Sequence, residues 1–281
     1  MSLSCARRVG RVLYVISVAS REQVRAWRPD VPGVAEVFHA RFVDHVYPLH
    51  THDTWTVLIV DTGAVRYDLD HDEHGVLGST VALLPPHVPH NGRSATGGEF
   101  RKRVLYLEPD QIDTDLIGRA VDRPEVIDAS LFARLSGIHR ALAEPGEEFE
   151  AESLLSLVRE RVEQHLRRMP PADPVRDAEM ARRLRELLDT RISDGICLTE
   201  ASRLLQAHPT HLVRSFGREF GLPPHRYLTG RRIDRARRLL LAGQPAAEVA
   251  TAVGFHDQPH LTRHFKRVLG VTPGAYARGT S

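Results

Sequence analysis

The stretch Gly254-Phe-His-Asp-Gln-Pro-His-Leu-Thr-Arg-His-Phe265 carries three histidines, an aspartate and an arginine within one helix-length of the C-terminal region. Leu261 and Phe265 stand four apart and share one helix face, with Arg263 and Arg267 on the opposite face. Asp257 occupies the N-cap position, where a carboxylate accepts from the orphan N–H groups of the first turn. His256, His260 and His264 have the i, i+4 spacing of metal ligands, but no Cys and no clear carboxylate stands near them in sequence. The reading is therefore a helix with a dry side and a basic side rather than a metal centre.

The stretch has an earlier copy. Shifted by 49 residues, His208-Pro-Thr-His-Leu-Val-Arg-Ser-Phe-Gly-Arg-Glu-Phe-Gly lies over Asp257 to Gly270, with identical pairs at His211/His260, Leu212/Leu261, Arg214/Arg263, Phe216/Phe265, Arg218/Arg267, Gly221/Gly270, Pro224/Pro273 and Tyr227/Tyr276. Two copies of one supersecondary unit follow. Each is preceded by a short apolar-periodic helix: Leu198 to Gln206, with Thr199 as the expected N-cap, and Pro245 to Gly254. Helix, tight turn, second helix is helix-turn-helix grammar, and Gly254 suits a turn with positive φ. Between the copies, Ile233, Ala236, Leu239 and Leu240 form the stripe of a connecting helix that Gly243 closes.

The run Ala250-x-x-Val-Gly-Phe-x-Asp-Gln-x-His-Leu-x-Arg-x-Phe-Lys-Arg-x-x-Gly-x-Thr-Pro-x-x-Tyr276 resembles the signature of the AraC/XylS family of transcription regulators, and the first copy resembles that family's weaker first motif. The resemblance covers about the last hundred residues. It departs at Pro259 and His208, where the family often has Ser, and at Gly217, which weakens its helix by ~1 kcal/mol relative to Ala.

Charge is divided unevenly along the 281 residues. From Val175 onward 18 Lys and Arg face 10 Asp and Glu, a balance of +8, whereas residues 1 to 174 hold 20 against 26, a balance of −6. The basic half is the half with the repeat, as a phosphate-binding surface requires. Cys5 and Cys197 are the two cysteines, which excludes a disulfide framework and points to a reducing compartment. Arg7, Arg8 and Arg11 followed by Val12 to Ser20 faintly resemble a signal peptide. A DNA-binding half has no use outside the cell, so a stray strand or an upstream-extended start is the preferred account, and the expected location is cytoplasmic. No apolar run reaches membrane-spanning length.

Upstream, Thr54–Val60, Ala64–Leu69, Ser79–Leu84 and Arg101–Leu107 read as strands, with Thr62-Gly63, His74-Gly75 and Gly97-Gly98 as turns. Helices follow at about Leu131–Ala143 and Phe149–Arg168, the second with an apolar stripe of Leu154, Leu157, Val158, Val162 and Leu166. Met169-Pro-Pro-Ala-Asp-Pro174 then breaks the chain as a linker. His50-Thr-His52-Asp53 and Pro86 to His90 resemble the His-x-His and Pro-x-x-x-His motifs of the cupin sensor barrel that precedes the DNA-binding domain in many AraC relatives. His50, His52 and His90 can supply three nitrogens to a divalent ion, with Asp53 a poor fourth ligand. The preferred reading is a small-molecule effector pocket of His50, His52, Trp55, Tyr67 and His90; satisfied core polar groups are the alternative.

These readings combine into an α+β multidomain chain. An N-terminal extension (1–20) precedes a cupin-like β-barrel (21–127), a helical dimerisation segment (128–168), a linker (169–177) and an all-α double helix-turn-helix domain (178–281). The expected function is sequence-specific regulation of transcription, with no catalytic residues, cofactor or metal. The partners are double-stranded promoter DNA, a small-molecule effector, a second copy in a homodimer and, for an activator, RNA polymerase; a membrane is not among them. Thr210, His211, Arg214, Gln258, Thr262 and Arg263 are the expected base readers, because recognition helices enter the major groove N-terminus first. Arg218, Lys266 and Arg267, further along, are assigned to phosphate. The two motifs are expected in successive major grooves, roughly 34 Å apart.

Overall fold

The computed structural model describes residues 13–16, 22–43, 45–170 and 177–278. Most of the expected N-terminal extension and residues 171–176 of the expected linker lie outside the described residues. The chain divides into two compact units. Among the described residues, one unit holds 143–153 and 177–278, and the other holds the remaining residues up to 142 together with 154–170. The stretch 128–168, expected as one helical segment, is thus shared between the two.

The N-terminal unit is built on strands β1 (Leu13–Ile16), β2 (Gln23–Trp27), β3 (Val34–Phe42), β4 (Tyr47–His50), β5 (Trp55–Thr62), β6 (Val65–Leu69), β7 (Asp72–Val76), β8 (Thr80–Leu84), β9 (His90–Ser94), β10 (Phe100–Leu107) and β11 (Glu125–Ile127). They form two antiparallel sheets, ordered β1-β2-β3-β10-β5-β8-β11 and β4-β9-β6-β7. Side chains two apart on each strand face the same way. Ala40 and Phe42, Leu58 and Val60, and Ala82 and Leu84 of the larger sheet therefore meet Val65, Tyr67 and Leu69 of the smaller one in a single core.

Helices α1 (Ile117–Asp122), α2 (Ala129–Ala143) and α3 (Glu148–Leu166) follow. α2 covers the outer face of the larger sheet: His139 meets His39 of β3 at 3.1 Å, and Ser136 accepts from Arg103 of β10 at 3.1 Å. β5 is consequently buried on both faces over its first six residues. On α3, Val158, Val162 and Leu166 of the expected stripe, and Leu155 beside them, are at most 4% exposed in the single chain. Arg159, Arg161 and Arg167 tie the same helix to Gln111 O, Asp128 and Asp113, each at 2.6 Å. Leu154 and Leu157 of the same stripe are half-buried. His74-Gly75, expected as a turn, lies inside β7, and the reversal before it uses Asp70 at φ 57, a left-handed conformation that Asp tolerates.

The C-terminal unit holds α4 (Ala178–Thr190), α5 (Leu198–Leu205), α6 (Pro209–Phe220), α7 (Pro224–Leu241), α8 (Ala246–Ala252), α9 (Gln258–Leu269) and α10 (Pro273–Arg278). α5 and α6 make the first helix-turn-helix, α8 and α9 the second, and α7 joins them. Ile233, Ala236 and Leu240 of α7 pack with Val249, Ala250, Phe255, Leu261 and Phe265 in the core of the second motif. Gly254 has φ +89, and an added Cβ there would fall against the Ser193 carbonyl oxygen. The N-cap of α5 is Cys197, whose sulfur accepts from Glu200 N–H at 3.4 Å, rather than Thr199.

Candidate DNA interface and sensor cavity

α9 starts where its sequence says it should. Asp257 Oδ1 accepts from His260 N–H at 2.7 Å, and His208 Nδ1 accepts from Thr210 N–H at 3.4 Å at the start of α6. Leu261 and Phe265 are fully buried, as are Leu212 and Phe216. On the opposite face of α9, Gln258, Arg263, Lys266 and Arg267 are exposed and Thr262 is half-buried. On α6, Arg218 is exposed and His211 and Arg214 are half-buried. Thr210 departs from the expected outward face, at 4% exposure. α4 packs along α6, and Asp177, the N-cap of α4, holds His211 Nε2 at 2.9 Å. His260, the counterpart of His211 in the second copy, is 4% exposed.

The reason for the burial of His260 is a carboxylate that local sequence does not reveal. Glu147 Oε1 lies 2.6 Å from His264 Nε2 and 3.7 Å from His260 Nε2. Each imidazole receives a donor at its other nitrogen: His256 N–H at 3.2 Å for His260 Nδ1, and the Arg267 guanidinium at 2.5 Å for His264 Nδ1. With Nδ1 accepting, a neutral ring carries its proton on Nε2, aimed at Glu147. The three groups have ligand spacing, but both rings are set as donors, so the cluster is a hydrogen-bonded carboxylate and not a metal centre. Burial raises the Glu147 carboxyl, yet the bonds from His260 and His264 outweigh it and hold the group well below the usual carboxylate range. Burial keeps His264 below the usual histidine range and so neutral.

Glu147 is one of five acids in the strap 144–152, four of which face the DNA-binding helices. Glu144 and Glu147 hold the Arg263 guanidinium at 2.8 and 3.4 Å. Glu150 lies 3.8 Å from His225 at the start of α7, and Glu152 accepts from Leu198 N–H at 2.5 Å and Thr199 N–H at 3.3 Å at the start of α5. A carboxylate at a helix N-terminus satisfies orphan donors and meets the positive end of the helix dipole.

In the barrel, a cavity of about 100 Å³ lies between the sheets. His50, His52, Tyr67 and His90 line it, as expected, together with Tyr47, Lys102 and Tyr106. Trp55 does not line it: Thr56 and Leu58 of β5 face the cavity, so alternation turns Trp55 to the other side of the sheet, where it is fully buried. His50 Nδ1–H donates to Pro48 O at 2.7 Å and His90 Nδ1–H to Val88 O at 3.0 Å, which leaves both Nε2 atoms as acceptors. Burial lowers His52 to about 4 and lowers His90 as well. The trio is a three-nitrogen ligand set, with Lys102 in the same cavity, and Asp53 is 91% exposed beside His87.

A family model described as an AraC-like ligand binding domain matches residues 32–158, and one described as a helix-turn-helix domain matches residues 201–279. The chain belongs to the AraC family of transcription regulators. It is similar to the uncharacterized HTH-type transcriptional regulator YbfI of Bacillus subtilis, 23% identical over 234 residues that cover 80% of this chain and 85% of that protein. It is likewise similar to the HTH-type transcriptional activator RhaS of Klebsiella pneumoniae, 22% identical over 264 residues, covering 88% and 94%. Among solved structures, the C-terminal domain of AraT, a response regulator from Geobacillus stearothermophilus, is 30% identical, covers 37% of this chain and 88% of that one, and superposes with a TM-score of 0.35. This AraC-family chain thus joins a cupin-like ligand-binding domain to a DNA-binding helix-turn-helix domain.

Proposed function

We propose that this AraC-family regulator reads promoter DNA with α6 and α9 under the control of a small molecule held in the barrel, as a cytoplasmic homodimer and without a catalytic step. As an activator it would also meet RNA polymerase. The observation that carries the reading is the surface of α9, where Gln258 and Arg263 stand exposed near the helix start, half-buried Thr262 lies beside them, and Lys266 and Arg267 follow one turn on. That order suits base edges first and phosphates after. On α6 the base-reading assignment rests on Arg214 more than on Thr210, which is buried, or on His211, which Asp177 engages. No helix among the described residues is long and apolar enough to cross a membrane. The helical segment is the proposed pairing surface of the homodimer, where Leu154 and Leu157 of α3 are half-buried in the single chain.

Selection of bound fragments from random DNA with the full chain tests the reading. Arg263→Ala should cost about 1–3 kcal/mol on the best site and relax preference at one base position. Arg267→Ala should weaken binding to all sequences alike and lower the salt slope by about one. Recovery of no common site, or an Arg263→Ala profile that shifts every affinity together, overturns base reading by this helix.

A further inference from the structure

Lys102 is a cation in the barrel that the protein does not balance. It lies on β10 with Val104 and Tyr106, two and four residues on, so all three line the cavity. Its ammonium sits 3.9 Å from the centroid of the Tyr47 ring and 5.6 Å from that of Phe38. Among the described residues, none that line the cavity is acidic and no carboxylate pairs with Lys102. Arg93, the other lining cation, is already engaged by Asp68 at 3.4 Å and by Glu73. The hydroxyls of Tyr47 and Tyr67 are buried and have no hydrogen-bond partner.

Buried polar groups without partners are costly, and a buried ammonium more so. Burial alone lowers Lys102 to about 7. A ligand that brought one negative charge and two acceptor oxygens would restore the ammonium and use the idle hydroxyls. We propose that the barrel takes a small carboxylate, its head on Lys102 with the Tyr47 and Tyr67 hydroxyls as further donors, and its body against Leu58, Val65 and Leu84. One uncompensated positive charge matches one negative charge, whereas a phosphate would bring more charge than the cavity balances. The proposal rests on the reading of the barrel as the sensor.

The test uses the full chain and matched pairs: the sodium salts of acetic, propionic, butyric and benzoic acids against their amides, at constant ionic strength. Calorimetric melting reads binding, and fluorescence anisotropy on the selected DNA site reads regulation. At least one acid should raise the melting temperature and change DNA affinity while its amide does neither. Lys102→Met should weaken that acid about 10- to 100-fold, the loss of one charged hydrogen bond. The acid–amide comparison on the natural chain decides the point even where Lys102→Met folds poorly. No stabilising acid, or amides that act as well as acids, overturns the carboxylate class; amides that also change DNA affinity leave the sensor reading standing. A stabilising acid that leaves DNA affinity untouched upholds the site and overturns the barrel as sensor.

Discussion

Arg263 Nη1 donates to Glu144 Oε2 at 2.8 Å, across 119 residues of sequence. The arginine assigned to a base edge is therefore already paired with a carboxylate. A guanidinium has donors for one fork-shaped partner at a time in a given direction, so guanine and Glu144 compete. The pair is half-exposed and its strength modest. Glu144→Gln should tighten binding to the selected site by about 2- to 5-fold, the range expected for release of an exposed ion pair of up to ~1 kcal/mol. Anisotropy titration measures this, and an unchanged affinity would show that the pair imposes no cost on DNA binding.

Acid should destabilise the protein earlier than its carboxylates alone would. Burial lowers His39, His52 and His225 to about 4, and lowers His264. Below about 6.5 the unfolded chain binds protons that these folded rings refuse, so stability present above that pH is lost as pH falls toward the folded values. Glu147 adds a second loss of the same sign below about 4.5, because its folded pKa is depressed. Melting temperature should fall continuously from pH 6.5 to 4, and Lys102, lowered to about 7, adds a loss of the same sign as pH falls from about 10.5 to 7. A profile flat to pH 5 would mean that these histidines are not held neutral.

The strap also bears on where the DNA-binding unit begins. The linker at 169–177 would start the DNA-binding unit at residue 178, yet Glu147 and Glu152 hold His264 and the first N–H groups of α5. Each lost charged hydrogen bond costs about 1.5–3 kcal/mol. A fragment of 143–281 should therefore unfold at a clearly higher urea concentration than 175–281. Equal midpoints would remove the strap from the folded unit.

Two substitutions probe the turn of the second motif. Asp257→Ala removes the acceptor of His260 N–H and should cost about 1 kcal/mol. Gly254→Ala should cost more than the ~1 kcal/mol of an ordinary glycine replacement, since positive φ and the Ser193 carbonyl both oppose a Cβ. Chemical denaturation ranks the two, and a milder Gly254→Ala would contradict the tight approach.

Much of this was legible because it is local. The 49-residue repeat, the caps at His208 and Asp257, and strands β5, β6, β8 and β10 follow from spacing within a few residues. Lys102 was also within reach: in a strand over Arg101–Leu107, alternation places it with Val104 and Tyr106 on one face. Trp55 was misplaced by a single residue of register, which is enough to reverse a side chain across a sheet. Glu147 was beyond reach. Its partner His264 lies 117 residues away, and nothing in Pro145-Gly-Glu-Glu distinguishes a buried acceptor from a solvated acid. The same distance hides the burial of His260 from local sequence.

The histidine shared by the two copies keeps different company in each. His211 answers to Asp177, just ahead of its own motif, whereas His260 answers to Glu147 from far upstream. The next turn has diverged further: Ser215 bonds back to His211 O at 2.7 Å, while its counterpart His264 reaches Glu147. The duplicated helices are therefore not interchangeable cassettes. Grafting α6 into the place of α9 would preserve the fold-forming Leu and Phe but strip Glu147 of its closest donor, so a designer who moves specificity between the motifs has to carry residues 144–152 along with the helix.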